Sequence, residues 1–313
     1  MCGIAGFVND MPIDVKCPVL QRMTDMIAHR GPDSEGHYID EHAALGHRRL
    51  SIIDLGGGQQ PIYNEDGSKV ITFNGEIYNY QTLREELIAA GHTFTTKSDT
   101  EVLLHGYEQW GVDLLQRVRG MFTFVIWDKN KQELFGARDH FGIKPFYYAK
   151  MNGTFMYASE IKSLLRHPDF VKELNAEALK PYMTFQYPAI GETFFKGVYK
   201  LPEGHYFTYR DGKMDIHRYY DEDFREGKQK LGELVNSIDQ TVCDSVKAHQ
   251  IADVEVGSFL SSGVDSSYVA AVARPQHTYS IGFGKGTYNE SQQAGELAEL
   301  LKLNNTAESL TDE

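Results

Sequence analysis

The sequence predicts two domains of different class: an α+β sandwich over residues 2–210 and the start of an α/β parallel sheet over residues 231–313, joined by a linker at 211–230. Three observations carry this reading. The first two thirds of the chain hold many short runs rich in β-branched and aromatic residues, bounded by Gly, Asp or Asn, with helical patterns between them. Beyond residue 230 strand and helix alternate, which is the signature of a parallel, doubly wound sheet. Between the two regimes, residues 217–230 are polar and heavily charged, as linkers tend to be. A chain of 313 residues is long enough to build two cores.

Taken in order, strands are predicted at 4–8, 43–47, 70–73, 121–127, 134–138, 146–148 and 154–158. Helices are predicted at 18–28, at 80–90 closed by Gly91, and at 100–109 closed by Trp110-Gly111. Glu203-Gly204 and Asp211-Gly212 mark hairpin-like turns late in this region. The second region reads as helix 231–248, strand 254–260, helix 265–273, strand 278–283, helix 290–301 and part of a third strand near 306–310.

Composition excludes several function classes. A net charge of −13, from 44 acidic against 31 basic side chains, argues against a nucleic-acid or anionic-membrane surface, both of which require clustered Lys and Arg. Cys2, Cys17 and Cys243 lie far apart with no CxxC pair, so neither a disulfide framework nor a zinc site is indicated from sequence. No secretory leader pattern is seen and no apolar run approaches the ~18 residues of a membrane span. The chain is therefore expected to be cytoplasmic and to act on small molecules. In that setting the sequons at Asn152 and Asn304 are chance matches.

Cys2 follows the initiator Met, so removal of Met1 places a nucleophile and an α-amine on one residue. A thiol with a free pKa near 8.5 and an amine near 7.7–8.0 exchange protons close to neutrality, giving a self-sufficient acid–base couple for covalent catalysis. In the second region, Ser261-Ser262-Gly263-Val264-Asp265-Ser266-Ser267 joins a strand to a helix N-terminus. Backbone N–H groups, the helix dipole and serine hydroxyls there favour a phosphate. It is not a Walker P-loop, because Gly-Lys-Ser/Thr is absent.

Cys2-Gly3-Ile4-Ala5-Gly6, His29-Arg30-Gly31-Pro32-Asp33, Arg49-Leu50-Ser51-Ile52, Asn74-Gly75-Glu76-Ile77-Tyr78-Asn79, Ser98-Asp99 and Arg138-Asp139 together resemble the class II glutamine amidotransferases, and the loop 261–267 narrows the resemblance to glutamine-hydrolysing asparagine synthetases. The resemblance implies an N-terminal-nucleophile sandwich of two antiparallel sheets between helix layers, then an ATP pyrophosphatase domain. It implies a reaction of glutamine, aspartate and ATP, with Mg2+, giving asparagine, glutamate, AMP and pyrophosphate. It also leaves a homodimer open as a partner.

On these positions the resemblance implies Cys2, Asn74 and Gly75 as catalytic residues and Arg49, Leu50, Ser51, Ile52, Ile53, Asn74, Gly75, Glu76 and Asp99 around glutamine. Arg49 suits the substrate carboxylate, since guanidinium makes paired charge-assisted hydrogen bonds, and Asp99 suits the ammonium. The Asn74 side chain and the Gly75 N–H, unhindered by a side chain, suit an oxyanion. Arg48 has no counterpart in the resemblance and reads as a solvated charge. Residues 29–33 read as a rigid loop shaping the pocket, and Ser98 as a helix cap. ATP and pyrophosphate are implied at Leu260, Ser261, Ser262, Gly263, Val264, Asp265, Ser266 and Ile281, with Mg2+ at Asp265. Two departures stand out: Ser262 occupies a position that is commonly Gly, and the later Ser-Gly-Glu-Gly segment is absent. The chain itself is accordingly expected to hydrolyse glutamine without making asparagine. An amidotransferase for another acceptor and a non-enzymatic fragment are the competing readings.

Overall fold

The computed structural model describes residues 1–187, 189–283 and 290–310, and divides into two compact units, Met1–Asp223 and Phe224–Glu313. The last residues of the predicted second domain, 311–313, lie outside the described residues.

In the first unit β1 (Gly3–Val8) leads into α1 (Ile13–Asp25), followed by β2 (Ser34–Ile39), β3 (Ala43–Arg49), β4 (Ile62–Tyr63) and β5 (Lys69–Ile77). Helices α2 (Tyr80–Ala89) and α3 (Asp99–Trp110) precede β6 (Gly120–Asp128), β7 (Glu133–Arg138), β8 (Tyr147–Met151) and β9 (Thr154–Ala158). After α4 (Ile161–Leu164) and α5 (Leu179–Phe185) come β10 (Val198–Lys200), β11 (His205–Arg210) and β12 (Lys213–Arg218). The strands form two six-stranded sheets, ordered β10-β8-β9-β1-β3-β2 and β12-β11-β7-β6-β5-β4, with every pairing antiparallel.

Period-two alternation explains the layers. From β1, Ile4 enters a core shared with Leu45, Val125, Trp127, Phe155 and Phe207, drawn from both sheets. Its neighbours Ala5 and Phe7 turn the other way, onto Val19, Leu20 and Met23 of α1 and Leu164 of α4. On the opposite side α3 packs on β5 and α2 on α3. The result is helix, sheet, sheet, helix. The boundaries of α2 and α3 follow from glycines at positive φ: Gly91 at φ 103 lies just past α2, and Gly111 at φ 57 caps α3.

Several expectations are corrected. The helix predicted from 18 starts at Ile13, with Pro18 inside it rather than at its first turn. The strand predicted at 146–148 lies at Tyr147–Met151, and Phe146, just before it, packs in the inter-sheet core. The stretch 211–230, read as a linker, carries β12 paired along its length with β11, and the first unit runs on to Asp223.

The second unit contains α6 (Leu231–Ala248), β13 (Ser258–Phe259), α7 (Val264–Ala273), β14 (His277–Phe283), α8 (Ser291–Leu301) and β15 (Asn304–Leu310). Its sheet, β13-β14-β15, is parallel, as strand–helix alternation requires. The strand predicted at 254–260 is shorter, Ser258–Phe259. A small core of Leu260, Ala270, Ala294 and Ala298 joins sheet and helices. No described helix is long and apolar enough to cross a membrane.

Candidate active site

Cys2 stands immediately before β1, an interior strand of its sheet. Its carbonyl accepts from Arg30 Nε at 2.9 Å, and Arg30 Nη1 lies 3.0 Å from Glu160 Oε1, so the loop 29–33 fixes the start of the chain. Gly31 in that loop is packed so closely on the Arg48–Arg49 backbone that a Cβ would come within 2.3 Å of it. Asp33 Oδ2 in turn accepts from Ser51 N at 2.8 Å. Cys2 Sγ is bracketed by Leu50, accepting from its N–H at 3.4 Å and donating to its carbonyl at 3.5 Å. Burial pushes the Cys2 thiol up from its ordinary value, against the lowering effect of the Leu50 hydrogen bond and the nearby amine. The amino group, here on Met1, is held below its ordinary value, chiefly by burial; Cys2 opposes this, and Arg30 and Lys144 add to it.

Beside Cys2 opens a cavity of about 250 Å³. Arg49, Leu50, Ile52, Ile53, Asn74, Gly75, Glu76 and Asp99 line it together with Cys2; Ser51 does not, its N–H being turned to Asp33. Arg49 is buried at the end of β3, where Nη2 donates to the carbonyls of Ile53 (3.1 Å) and Asp54 (2.7 Å). Those bonds set the guanidinium's orientation and leave its other N–H groups for a ligand. Asn74, on β5, is 1% exposed, and its Nδ2 has no hydrogen-bond partner. A buried donor left unmatched costs about 1–3 kcal/mol, so this position is tolerable only where something else accepts from it.

The glycine at 75 has a packing reason as well: a Cβ there would lie 2.2 Å from the Met121 carbonyl oxygen, so the close approach of β6 admits no side chain. Asp99, the first residue of α3, is fully buried; Oδ2 accepts from Ile77 N at 3.0 Å. Burial, with Glu76 nearby, raises its carboxyl to about 7 despite hydrogen bonds from Ile77, Ser98 and Thr100. Ser98 caps α3 as expected, accepting from Thr100 N at 3.2 Å. Arg48 is not a solvated charge: it is mostly buried, donates to Thr24 O at 3.2 Å and pairs with Asp25 and Glu35.

Sequence reasoning missed Gln60 and Lys144. Gln60 accepts from Phe73 N at 2.6 Å and donates to Thr100 Oγ1 at 3.2 Å, tying β5 to α3 behind the cavity. Lys144 is buried at the cavity wall, its pKa lowered by that burial, with Nζ 2.8 Å from Met1 Sδ. The pair Arg138-Asp139 puts it there. Arg138 donates to the Lys144 and Leu201 carbonyls, and Asp139 accepts from the N–H groups of Phe141, Ile143 and Lys144, so the loop is rigid. The arginine–aspartate pair ahead of a Gly-x-Lys-Pro turn was the available signal.

In the second unit Leu260 is buried, bonded to β14 through Tyr279 O (2.8 Å) and Ser280 Oγ (2.8 Å). Gly263 is the N-cap of α7 and, having no side chain, makes no capping bond with the first turn of the helix. Ser261 and Ser266 hydroxyls lie 2.8 Å apart and brace the loop from within. Ser262 is exposed and not in the left-handed region, so the departure from Gly brings no backbone strain. Asp265 is exposed in the first turn, and Ile281 lies on β14, half-exposed. This strand–loop–helix cradle fits a phosphate, and Asp265 offers a hard carboxylate oxygen of the kind Mg2+ takes alongside phosphate.

A four-layer sandwich with a cysteine poised before an interior strand is the arrangement of an amidotransferase, and the chain belongs to that class: the glutamine amidotransferase domain family matches residues 1–220. The asparagine synthase family matches residues 237–313, so the chain joins a class II amidotransferase domain to part of an asparagine synthase domain. Asparagine synthetase [glutamine-hydrolyzing] 1 of Bacillus subtilis is 43% identical over 321 residues, covering 100% of this chain and 51% of that protein. The amidase chry2 of Gibberella zeae is 35% identical over 295 residues, covering 87% of this chain and 42% of its own length. The chain thus spans about half the length of these curated relatives. Among solved structures, the glutamine phosphoribosylpyrophosphate amidotransferase of B. subtilis shares the fold at a TM-score of 0.54 and 16% identity, over 98% of this chain and 65% of that one.

Proposed function

We propose that the first unit hydrolyses glutamine to glutamate and ammonia. The observation that carries this is the unpartnered Asn74 Nδ2, a buried donor in the cavity that Cys2 lines. Once Met1 is removed, the Cys2 amine takes the thiol proton, directly or through water, and Sγ attacks the substrate amide carbon. Asn74 Nδ2 and the Gly75 N–H hold the tetrahedral oxygen. The C–N bond breaks as the amine returns its proton to the leaving nitrogen; ammonia departs, and water hydrolyses the thioester to glutamate. Arg49 holds the substrate carboxylate and Asp99 its ammonium.

For the whole-length protein the reading is amidation of aspartate to asparagine, driven by ATP with release of AMP and pyrophosphate. ATP would rest its phosphates on the 261–267 loop, with Leu260 and Ile281 beside it, and Mg2+ at Asp265 would neutralise pyrophosphate charge. The 313-residue chain itself is read as a glutaminase alone. The test incubates it with glutamine, aspartate, ATP and Mg2+ and quantifies glutamate, asparagine and pyrophosphate together. Glutamate alone is expected, and the Cys2→Ala variant should lose at least about 10³-fold of that rate. Asparagine formed in step with pyrophosphate would overturn the split. Undiminished hydrolysis by a mass-verified protein retaining Met1 would remove the amine from the mechanism.

A further inference from the structure

We infer that the first unit carries a binding site for a tetrahedral transition-metal dication, of the zinc type, formed by Glu65, His92, His105 and Glu108. One ligand atom from each residue lies within 4.8 Å of all the others, the only such group among the described residues. No local motif marks it, because the ligands come from three separate places: the turn after β4, the loop after α2 and α3 itself.

The distances fit an ion. A tetrahedral ion bonded at about 2.0–2.1 Å separates neighbouring donors by ~1.6 times that length, or about 3.3–3.4 Å. His105 Nδ1 lies 3.4 Å from Glu65 Oε2 and 3.1 Å from Glu108 Oε2. His92 Nδ1 lies 3.4 Å from the other Glu65 oxygen, Oε1, and 4.0 Å from Glu108 Oε2, so Glu65 meets the two histidines through different oxygens and His92 would close in by about half an ångström around an ion. Both imidazoles thus present Nδ1 to the same two carboxylates. Two carboxylates and two neutral imidazoles balance a dication, and nitrogen with carboxylate oxygen suits zinc better than magnesium or calcium.

The surroundings hold these groups as they would around a metal. The outer ring nitrogen of His92 has an acceptor, with Nε2 3.2 Å from Gln109 Oε1, while that of His105 faces Glu101 Oε1 at 3.5 Å without a hydrogen bond. Outer acceptors of this kind orient metal-bound histidines. His105 is fully buried and its Nε2 makes no hydrogen bond within geometric limits. Glu101 and Glu108 flank the His105 ring on its two nitrogen sides, Nε2 and Nδ1, so the Nδ1 edge is the one turned to Glu65 and His92. Glu108 Oε1 is occupied by Asn64 Nδ2 at 2.7 Å and Lys69 Nζ at 3.3 Å, which leaves Oε2 turned to the histidines. Glu101 also binds the N–H groups of Thr95 and Thr96 at 2.7 Å each, tying the approach to Ser98 and Asp99 to the same cluster. An ion here would clamp the loop carrying His92 to α3, the helix whose first turn lines the glutamine cavity.

The test uses the full 313-residue chain stripped with a chelator, then titrated with Zn2+ alone by calorimetry and with Co2+ alone by visible absorption. One equivalent should bind, with the intense d–d bands of tetrahedral cobalt and a raised unfolding midpoint. Glu65→Gln and His92→Gln, both peripheral to the core, should weaken binding at least ~10-fold and abolish the cobalt bands while leaving glutamine hydrolysis and the metal-free unfolding midpoint unchanged. Absence of uptake by the wild-type chain would reduce the cluster to a set of ion pairs. Equal affinity in wild type and both variants would place the metal elsewhere. Either result overturns the inference.

Discussion

The two units bury opposite kinds of residue on their sheets. In the first, Phe155 and Trp127 point into the space between the sheets, and Phe7 turns to α1. In the second, the side of β14 that is buried carries Thr278 and Ser280, while Tyr279, Ile281 and Phe283 on the other side are 46%, 48% and 60% exposed. A parallel sheet is ordinarily covered on both faces. The same alternation rule therefore gives a closed body in one unit and a one-sided sheet in the other, whose apolar side is the uncovered one. The first unit has a core of its own and an assembled cavity; the second has a strand–loop–helix turn on a body whose buried apolar cluster is one leucine and three alanines, Leu260, Ala270, Ala294 and Ala298.

If that contrast is right, core truncation must hurt the first unit far more than surface change hurts the second. Phe155→Ala should cost about 3–5 kcal/mol, read as a lowered urea midpoint of the transition that abolishes glutamine hydrolysis. A loss below about 1 kcal/mol would show that the inter-sheet core is not what holds this unit. Next in size, Asn74→Ala should lower kcat by about 10²–10³-fold with little change in KM, because the amide acts on charge that develops only in the transition state. Arg49→Ala should do the reverse and raise KM. An Asn74 variant with normal kcat would leave the cavity without its oxyanion donor.

A pH effect follows for Asp99. Burial raises its carboxyl to about 7, which favours the neutral form below that pH and the anion above it. Only the anion pairs with the substrate ammonium, so KM for glutamine should rise as pH falls through 7, approaching ~tenfold per unit, and Asp99→Asn should flatten the profile at a high KM. The sign for stability is opposite. A carboxyl raised in the folded state favours folding fully below its unfolded value of 3.8, and that contribution is lost as pH rises through 7. Asp99→Asn should therefore stabilise the ligand-free unit at pH 8 relative to wild type. The smallest effect is expected on the open sheet: Ile281→Ser, half-exposed on β14, should shift stability by less than about 0.5 kcal/mol while reducing aggregation in light scattering. A large loss there would mean that the exposed face is covered in solution.

The sequence by itself determined the elements that local chemistry dictates. The runs rich in β-branched and aromatic residues at 4–8, 121–127 and 154–158 became strands, Gly91 and Gly111 ended their helices, and strand–helix alternation after residue 230 became a parallel sheet. It also selected Cys2, Arg49, Asn74 and Asp99, which the fold brings to one cavity from the start of β1, the end of β3, β5 and the start of α3. What it left to the tertiary structure are properties that exist only between elements. Gly75 answers to the Met121 carbonyl on the neighbouring strand, Arg48 is drawn in by Asp25 and Glu35, and Lys144 reaches the cavity because Arg138 grips its carbonyl. The hairpin partner of β11 lies in a stretch whose charged, polar composition reads as linker, since a strand at the margin of a sheet is stabilised by its neighbour's hydrogen bonds and not by its own apolar pattern. The histidines at 92 and 105 meet only after α2 and α3 pack together. Periodicity reports which face of an element is buried; it does not report what waits on the other side.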